Sequence, residues 1–241
     1  SRIKILKDYC DAAKSINKNT YFIIEHLGDN KEEIEYANYG ILPWRNMNNS
    51  YCEAAMGYAP KSKFTDNNDL NNIKTNQPNS LGGMFTDTWV GYGVSHDEER
   101  NMYKAVAYGD GKLKEVKEGH AERMARVPAV IAFTALIPGP KMLWQFQELG
   151  YDYSINYCSD GTIKEDCRTN AKPVPWTIWK DDVDRWNAYR NSAKVISLRT
   201  KNPNIFRAEN FTAVNHTGTS WDKPRRMDIS YKHATDESEN I

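Results

Sequence analysis

Helical and strand-like patterns alternate from the beginning of the chain. Apolar residues recur at spacings of three and four over residues 1–17, which predicts an amphipathic helix. Residues 20–25 form a short apolar run typical of a buried strand. A second helix is predicted to begin with Asn30 as its N-cap and Glu33 three residues later, and to end near Gly40.

The same alternation continues to residue 200. Strands are predicted near residues 21–25, 43–48, 89–95 and 141–146. Helical patterns cover 121–137, where Pro128 should kink or restart the helix, and 181–200. Strands that alternate with helices predict an α/β fold with parallel strands and crossover helices. Four strands are half of what a closed (β/α)8 barrel needs.

Two segments fall outside this alternation. Residues 67–80 are rich in Asn and polar, which predicts a surface excursion or an irregular helix. After Pro203, residues 210–214 and 227–231 resemble strands of a small β domain.

Polar side chains stand where two of the predicted strands end. Glu25 is the last residue of the first strand and His26 follows it, while His96 and Asp97 follow the third strand. Barrel active sites are built at the carboxyl ends of the strands, so these groups are the candidate active site. Burial at the end of an apolar strand favours the protonated form of a carboxyl group, which would suit Glu25 as an acid.

Two neighbouring features leave alternatives open. Glu98, Glu99 and Arg100 could orient the loop through ion pairs, but we favour a solvated turn formed by two of the three. Trp44 follows Pro43 and fits a sugar-binding position and core packing about equally well.

Charge and hydropathy exclude two classes of partner. The formal net charge is zero, so no nucleic-acid footprint is indicated. No apolar run approaches the roughly 18 residues of a membrane span. Aromatic residues make up 12% of the chain, which suits sugar faces as well as ordinary cores.

The four cysteines separate into two kinds. Cys158 and Cys167 bracket a polar loop with an Asp-Gly turn, and we favour a disulfide there over two reduced thiols. A disulfide would place the protein in an oxidising compartment, secreted or periplasmic. Cys10 and Cys52 lack metal-ligand spacing and are predicted to be buried, and we expect no metal ligands in this chain.

At these residues the chain resembles glycoside hydrolase family 13, the α-amylase family. Residues 23–26 resemble the fifth-strand motif of that family, whose Glu is the general acid/base. Residues 94–97 resemble the seventh-strand motif, whose His binds sugar hydroxyls and whose Asp stabilises the transition state. Residues 138–150 resemble the eighth strand and its following turn, and residues 150–156 are similar to α-amylases of the Bacteroides group.

This resemblance implies the C-terminal half of a (β/α)8 barrel over residues 1–200 and the start of a C-terminal β-sandwich domain over 201–241. It implies retaining hydrolysis of α-1,4-glucans such as starch and maltooligosaccharides. Glu25 would be the acid/base and Asp97 the transition-state stabiliser, while His96, His26 and Trp44 would bind sugar. No cofactor is implied in this chain, and the family's calcium lies near a domain that the chain does not contain.

One motif of the family is missing from the sequence. The fourth-strand string Gly-Phe-Arg-x-Asp, which carries the nucleophile, does not occur here. The chain is therefore expected to be either an incomplete α-amylase-type enzyme or an inactive, glucan-binding or partner-dependent half-barrel. The open strand edges of a half-barrel predict self-association unless a loop covers them.

Overall fold

The protein is described by a computed structural model, which covers residues 1–26, 28–57, 88–110, 119–215 and 227–232. The predicted polar excursion at 67–80 lies outside these ranges. The helices are α1 Arg2–Ile16, α2 Asn30–Tyr39, α3 Asn48–Met56, α4 Asn101–Tyr108, α5 His120–Ala135, α6 Pro175–Ile178 and α7 Val183–Lys201. The strands are β1 Phe22–Ile24, β2 Ile41–Asn46, β3 Val90–Tyr92, β4 Lys141–Met142, β5 Phe211–Asn215 and β6 Met227–Tyr231.

The first four strands form one parallel sheet in the order β1-β2-β3-β4. All three neighbouring pairs in the sheet are parallel. The prediction of four parallel strands with helical crossovers is therefore confirmed. The sheet curls into half of a barrel with the helices on its outer side.

The first strand shows why the sequence alternates as it does. Ile24 is buried on the outer side of the sheet with Cys10 of α1 and Tyr36 of α2. Ile23, which points to the inner side, is 48% exposed. The outer face of the half-barrel is therefore covered by helices, while its inner face is open at this strand.

The main core lies between the outer face of β3 and helices α3, α4 and α5. Trp89, Tyr51 and Ile131 are almost completely buried there. Gly93 ends this part of the chain, and a Cβ atom at that position would lie 1.9 Å from the Tyr51 ring. A glycine therefore lets α3 pack against the backbone just before the loop that carries His96 and Asp97.

Two predictions about helices are corrected. Asp29 caps α2 in place of Asn30, because its carboxylate accepts a hydrogen bond from the Lys31 backbone amide at 2.7 Å. Helix α5 runs from His120 through Pro128 to Ala135, so of the two predicted effects of this proline the restart of the helix is wrong. Packing of α5 against α7 and the core therefore outweighs the hydrogen bond that a proline removes.

The last described segment is a separate two-stranded antiparallel ribbon of β5 and β6. Tyr231 anchors it, because its buried ring contacts Phe206 and its hydroxyl donates a hydrogen bond to the Leu136 carbonyl at 2.5 Å. Among the described helices, none combines the length and the apolar character needed to cross a bilayer.

Candidate active site

The ends of β1 and β3 bring two of the predicted groups together. Glu25 Oε1 lies 3.8 Å from His96 Nε2. The two side chains are 42% and 49% exposed, so the carboxyl group of Glu25 is not buried as the apolar run suggested. Glu25 directly follows the last residue of β1, Ile24, so its side chain lies beyond the hydrogen-bonded strand and stays partly exposed.

Two aromatic rings lie beside His96, one from Trp44 in β2 and one from Trp144, two residues after β4. The ring centroids of Trp44 and Trp144 lie 6.0 and 6.1 Å from that of His96. Tyr92 makes an edge contact with Trp44 at 5.1 Å. Trp44 is therefore placed beside the candidate site, where its half-buried ring offers a flat apolar face for a sugar.

Asp97 is held by a residue from a distant part of the chain. Arg168 Nη2 donates to the Asp97 carboxylate at 2.7 Å and to its backbone carbonyl at 2.5 Å. The hydrogen bonds and positive charge of Arg168 lower the pKa of Asp97 below its usual range. The Asp97 side chain remains 53% exposed and accessible to a ligand.

The residues after Asp97 are not a solvated turn. Arg100 is only 7% exposed, and its guanidinium donates to the carbonyls of Ser95 and Glu98 at 2.6 and 2.8 Å. Glu98 accepts hydrogen bonds from Asn46 of β2 and from the Ser95 hydroxyl. The favoured prediction of a solvated turn is therefore wrong, because these groups bind the loop that holds His96 and Asp97.

His26 is the predicted site residue that the structure does not bring to this group. Its ring contacts helix α2, with Nε2 3.3 Å from Glu32 and Nδ1 3.4 Å from Glu33. It also meets the Tyr36 ring edge-on at 5.2 Å, and its side chain is 16% exposed. Because the His26 imidazole packs against α2 and not beside His96, we leave His26 out of the proposed site.

A disulfide closes the loop that carries Arg168. Cys158 and Cys167 are bonded at 2.08 Å, and the other two cysteines, Cys10 and Cys52, are buried free thiols. Burial raises the pKa of the Cys52 thiol to about 12, which makes it unreactive at neutral pH.

Sequence reasoning missed the roles of Trp144, Arg168 and Arg100. Trp144 lies in the predicted strand 141–146, and this was a usable signal. The carboxyl end of that strand was expected beside the strand ends that carry Glu25 and His96. Arg168 gave no signal, because 71 residues separate it from Asp97. The role of Arg100 was missed because it follows two carboxylates, Glu98 and Glu99, which suggested ion pairs. Its guanidinium binds backbone carbonyls.

Among the described residues, one group has ligand types suited to a metal ion. His120, Asp182 and Asp184 hold ligand atoms within 4.8 Å of one another. Asp182 already caps α7 and accepts hydrogen bonds from His120 and from the Arg185 guanidinium. These contacts account for the cluster as a helix-capping network.

No protein-family model matches the sequence, and no curated protein matches it. Solved structures do match the fold. Amy13B of Eubacterium rectale aligns with 96% of this chain at 18% identity and a TM-score of 0.58. An alpha-amylase from H. orenii aligns with 97% at 12% identity and a TM-score of 0.59. The apo pullulanase from Klebsiella pneumoniae aligns with 98% at 12% identity and a TM-score of 0.63.

The chain spans only 45%, 45% and 34% of the lengths of these three proteins. At such low identity the likeness shows the fold alone. The fold shared with them is the amylase-type barrel, of which the described sheet is one half.

Proposed function

We propose that this chain is the second half of an α-amylase-type glycoside hydrolase of family 13 that acts on α-1,4-glucans such as starch and maltooligosaccharides. The observation that carries the proposal is the meeting of Glu25 and His96, 3.8 Å apart, at the ends of parallel strands. That end of a barrel is where its active sites lie. The amylase-type fold of the structural neighbours supports the same reading.

In the proposed reaction Glu25 is the general acid and then the general base. A carboxylate nucleophile attacks the anomeric carbon while Glu25 gives its proton to the leaving oxygen and the glycosidic bond breaks. Water then attacks the anomeric carbon of the glycosyl-enzyme while Glu25 accepts a proton from that water; the bond to the nucleophile breaks, its carboxylate is released, and the anomeric configuration is retained overall. The nucleophile would come from chain outside this sequence, because the fourth-strand motif is missing here.

The other residues of the site bind the sugar. Asp97 has a charged carboxylate that can accept hydrogen bonds from sugar hydroxyls, and His96 can donate to them. Trp44 and Trp144 border His96 and provide apolar faces for pyranose rings. This set combines the flat and hydrogen-bonding surfaces that a glucan presents.

Three further assignments belong to the same proposal. The ribbon of β5 and β6 would begin a C-terminal β-sandwich, with the boundary near residue 200. The disulfide fits a secreted or periplasmic protein. Residues 150–156 favour a Bacteroides-type α-amylase among the members of the family.

A second function has an observation in its favour. The side chains of Glu25, His96 and Asp97 are each between 42% and 53% exposed, which is open for a catalytic site. A half-barrel that binds glucan without hydrolysing it, or that needs a partner to complete the site, would have this open geometry.

Binding of maltoheptaose, measured by isothermal titration calorimetry, tests the proposed site. The wild-type chain should bind maltoheptaose but not the β-1,4-linked cellohexaose. Trp44→Ala should weaken binding about two- to tenfold, because an aromatic contact contributes about 0.5–1.5 kcal/mol.

Trp176→Ala is the matched control, since Trp176 is 61% exposed on α6 and makes its edge contact with Phe146. Equal losses in the two variants, or equal affinity for the two oligosaccharides, would contradict the proposed site.

A further inference from the structure

Arg168 binds Asp97 through a single nitrogen, Nη2, which donates hydrogen bonds to two acceptors of that residue. Arg168 Nη2 lies 2.7 Å from Asp97 Oδ1 and 2.5 Å from the Asp97 carbonyl oxygen. Binding both the side chain and the backbone of one residue restricts its rotation as well as its position. Among the described residues, no hydrogen bond reaches the second carboxylate oxygen, and the Asp97 side chain is 53% exposed.

The loop before Arg168 is built to hold its shape. Within it, the Cys158 amide donates to the Thr162 carbonyl at 2.8 Å, and the Lys164 amide donates to the Asn156 carbonyl at 2.9 Å. The disulfide joins its two ends, and Cys167 closes a 3-10 turn, Glu165–Cys167, directly before Arg168.

A lysine on the far side braces the same loop. Lys172 Nζ donates to the carbonyls of Tyr157 and Cys167 at 3.1 and 2.6 Å. The two ends of the disulfide loop are thus held together by a covalent bond and by a cation. Arg168 directly follows Cys167, so these bonds also restrict the position of the Arg168 backbone.

The base of the loop is attached to the segment that carries Asp97. The carboxylate of Glu99 accepts hydrogen bonds from the Ser154 hydroxyl at 2.8 Å and from the Ile155 amide at 2.9 Å. Glu99 is two residues after Asp97, so both members of the Arg168–Asp97 pair are anchored to one network.

We propose that Arg168 is a positioning residue for Asp97 and that the Cys158–Cys167 loop is the device that presents it. The benefit for sugar binding rests on the proposed function of Asp97. Arg168 fixes Oδ1 and leaves Oδ2 directed to a sugar hydroxyl, so the carboxylate does not have to be ordered when the glucan binds.

The charged surroundings of Asp97 identify Arg168 as the main influence on its protonation. His96 is the other cationic candidate beside Asp97, and it faces Glu25 at 3.8 Å. Glu98 is already bound by Asn46 and Ser95. Removal of Arg168 should therefore raise the pKa of Asp97 towards its ordinary value.

The test is a pH titration of the 241-residue chain labelled with ¹³C in its Asp carboxyl groups, with the Asp97 signal assigned from Asp97→Asn. Arg168→Gln should raise the midpoint of the Asp97 titration, and Arg168→Lys should give an intermediate midpoint, because lysine keeps the charge without the planar fork. Arg190→Gln is the matched control, because it removes an exposed arginine on α7. If Arg168→Gln and Arg190→Gln give the same midpoint, the positioning role is overturned.

The role of the disulfide is tested separately. The Cys158→Ser/Cys167→Ser double variant should move the Asp97 midpoint in the same direction as Arg168→Gln. Reduction of the wild-type chain should give the same result if the double variant folds poorly. A midpoint unchanged by loss of the disulfide would overturn the assignment of the loop as the presenting device.

The titration needs no sugar, so it can succeed even where the proposed function fails. In a second arm, Arg168→Gln should weaken maltoheptaose binding about three- to fivefold, within the effect of an exposed ion pair, with Arg190→Gln unchanged. Absence of binding in the wild type would contradict the proposed function alone. Binding unaffected by Arg168→Gln would overturn the role of Arg168 in ligand binding.

Discussion

Several buried arginines in this protein bind backbone carbonyls, and these contacts shape the loops around the site. Arg100 binds the carbonyls that flank His96 and Asp97. Arg185 binds the carbonyls of Leu149 and Gly150 after β4. A guanidinium has several donors in a planar fork, so one side chain can fix two peptide groups at once.

The first prediction concerns Arg100. Arg100→Met should lower the free energy of unfolding by about 2 kcal/mol, because it leaves two loop carbonyls without their charged donor. Urea denaturation measures the change, and Arg190→Met is the matched control with an exposed arginine. A loss no larger than that of Arg190→Met would show that water replaces Arg100 without cost.

At the scale of elements, the loop between Cys158 and Cys167 is held by a disulfide and by hydrogen bonds from Lys172. Its disulfide closes a short loop with a sequence separation of nine residues. Because the disulfide lowers the conformational entropy of the unfolded chain, it should raise the free energy of unfolding by about 2–3 kcal/mol at 25 °C.

The second prediction follows from that closure. The Cys158→Ser/Cys167→Ser variant should lose about 2–3 kcal/mol of unfolding free energy in urea. Cys10→Ser/Cys52→Ser is an instructive comparison, because it removes two buried free thiols and tests packing instead of cross-linking. A loss well under 1 kcal/mol in the first variant would mean that the reduced, unfolded chain already holds the loop ends together.

The elements show which parts of the structure could be predicted from the sequence. Short apolar runs placed the strands, and the polar residues that follow them placed Glu25 and His96 at one end of the sheet. Such local patterns reflect burial and were sufficient for the parallel half-barrel. The direction of individual side chains could not be predicted in this way. His26 directly follows Glu25 in the sequence, yet its ring packs against α2.

Long-range polar contacts formed the other limit of prediction. Arg168 binds Asp97 although 71 residues separate them in the sequence. A periodic pattern of apolar residues contains no information about such a contact. Phe146 adopts a positive φ of 65°, a conformation that side chains rarely take, and no apolar pattern in the sequence marks that position.

At the scale of the molecule, the described sheet has two edges. Strands β1 and β4 each have one neighbour in the sheet, and they enclose an inner face on which Tyr21 is 78% exposed. Unpaired strand edges beside apolar residues are templates for pairing with another chain.

The third prediction is therefore concentration-dependent self-association of the chain. Sedimentation velocity should show dimers or larger species, and Ile23→Lys should reduce them, because a lysine on an edge strand opposes further pairing. Ile163→Lys is the matched control, since Ile163 is equally exposed but lies in the disulfide loop. A monomeric wild-type chain across the accessible concentrations would contradict this prediction.

The last prediction concerns catalysis by the whole chain. Glu25 can give a proton to a leaving oxygen, but a retaining glycosidase also needs a second carboxylate about 5–5.5 Å away to form the glycosyl-enzyme. Asp97 is engaged by Arg168, and in the proposed site its free oxygen binds sugar hydroxyls. We therefore expect negligible release of reducing sugar from soluble starch by residues 1–241 alone, with Glu25→Gln as the control. Robust wild-type activity that disappears in Glu25→Gln would contradict this, and would mean that another carboxylate or a partner chain supplies the nucleophile.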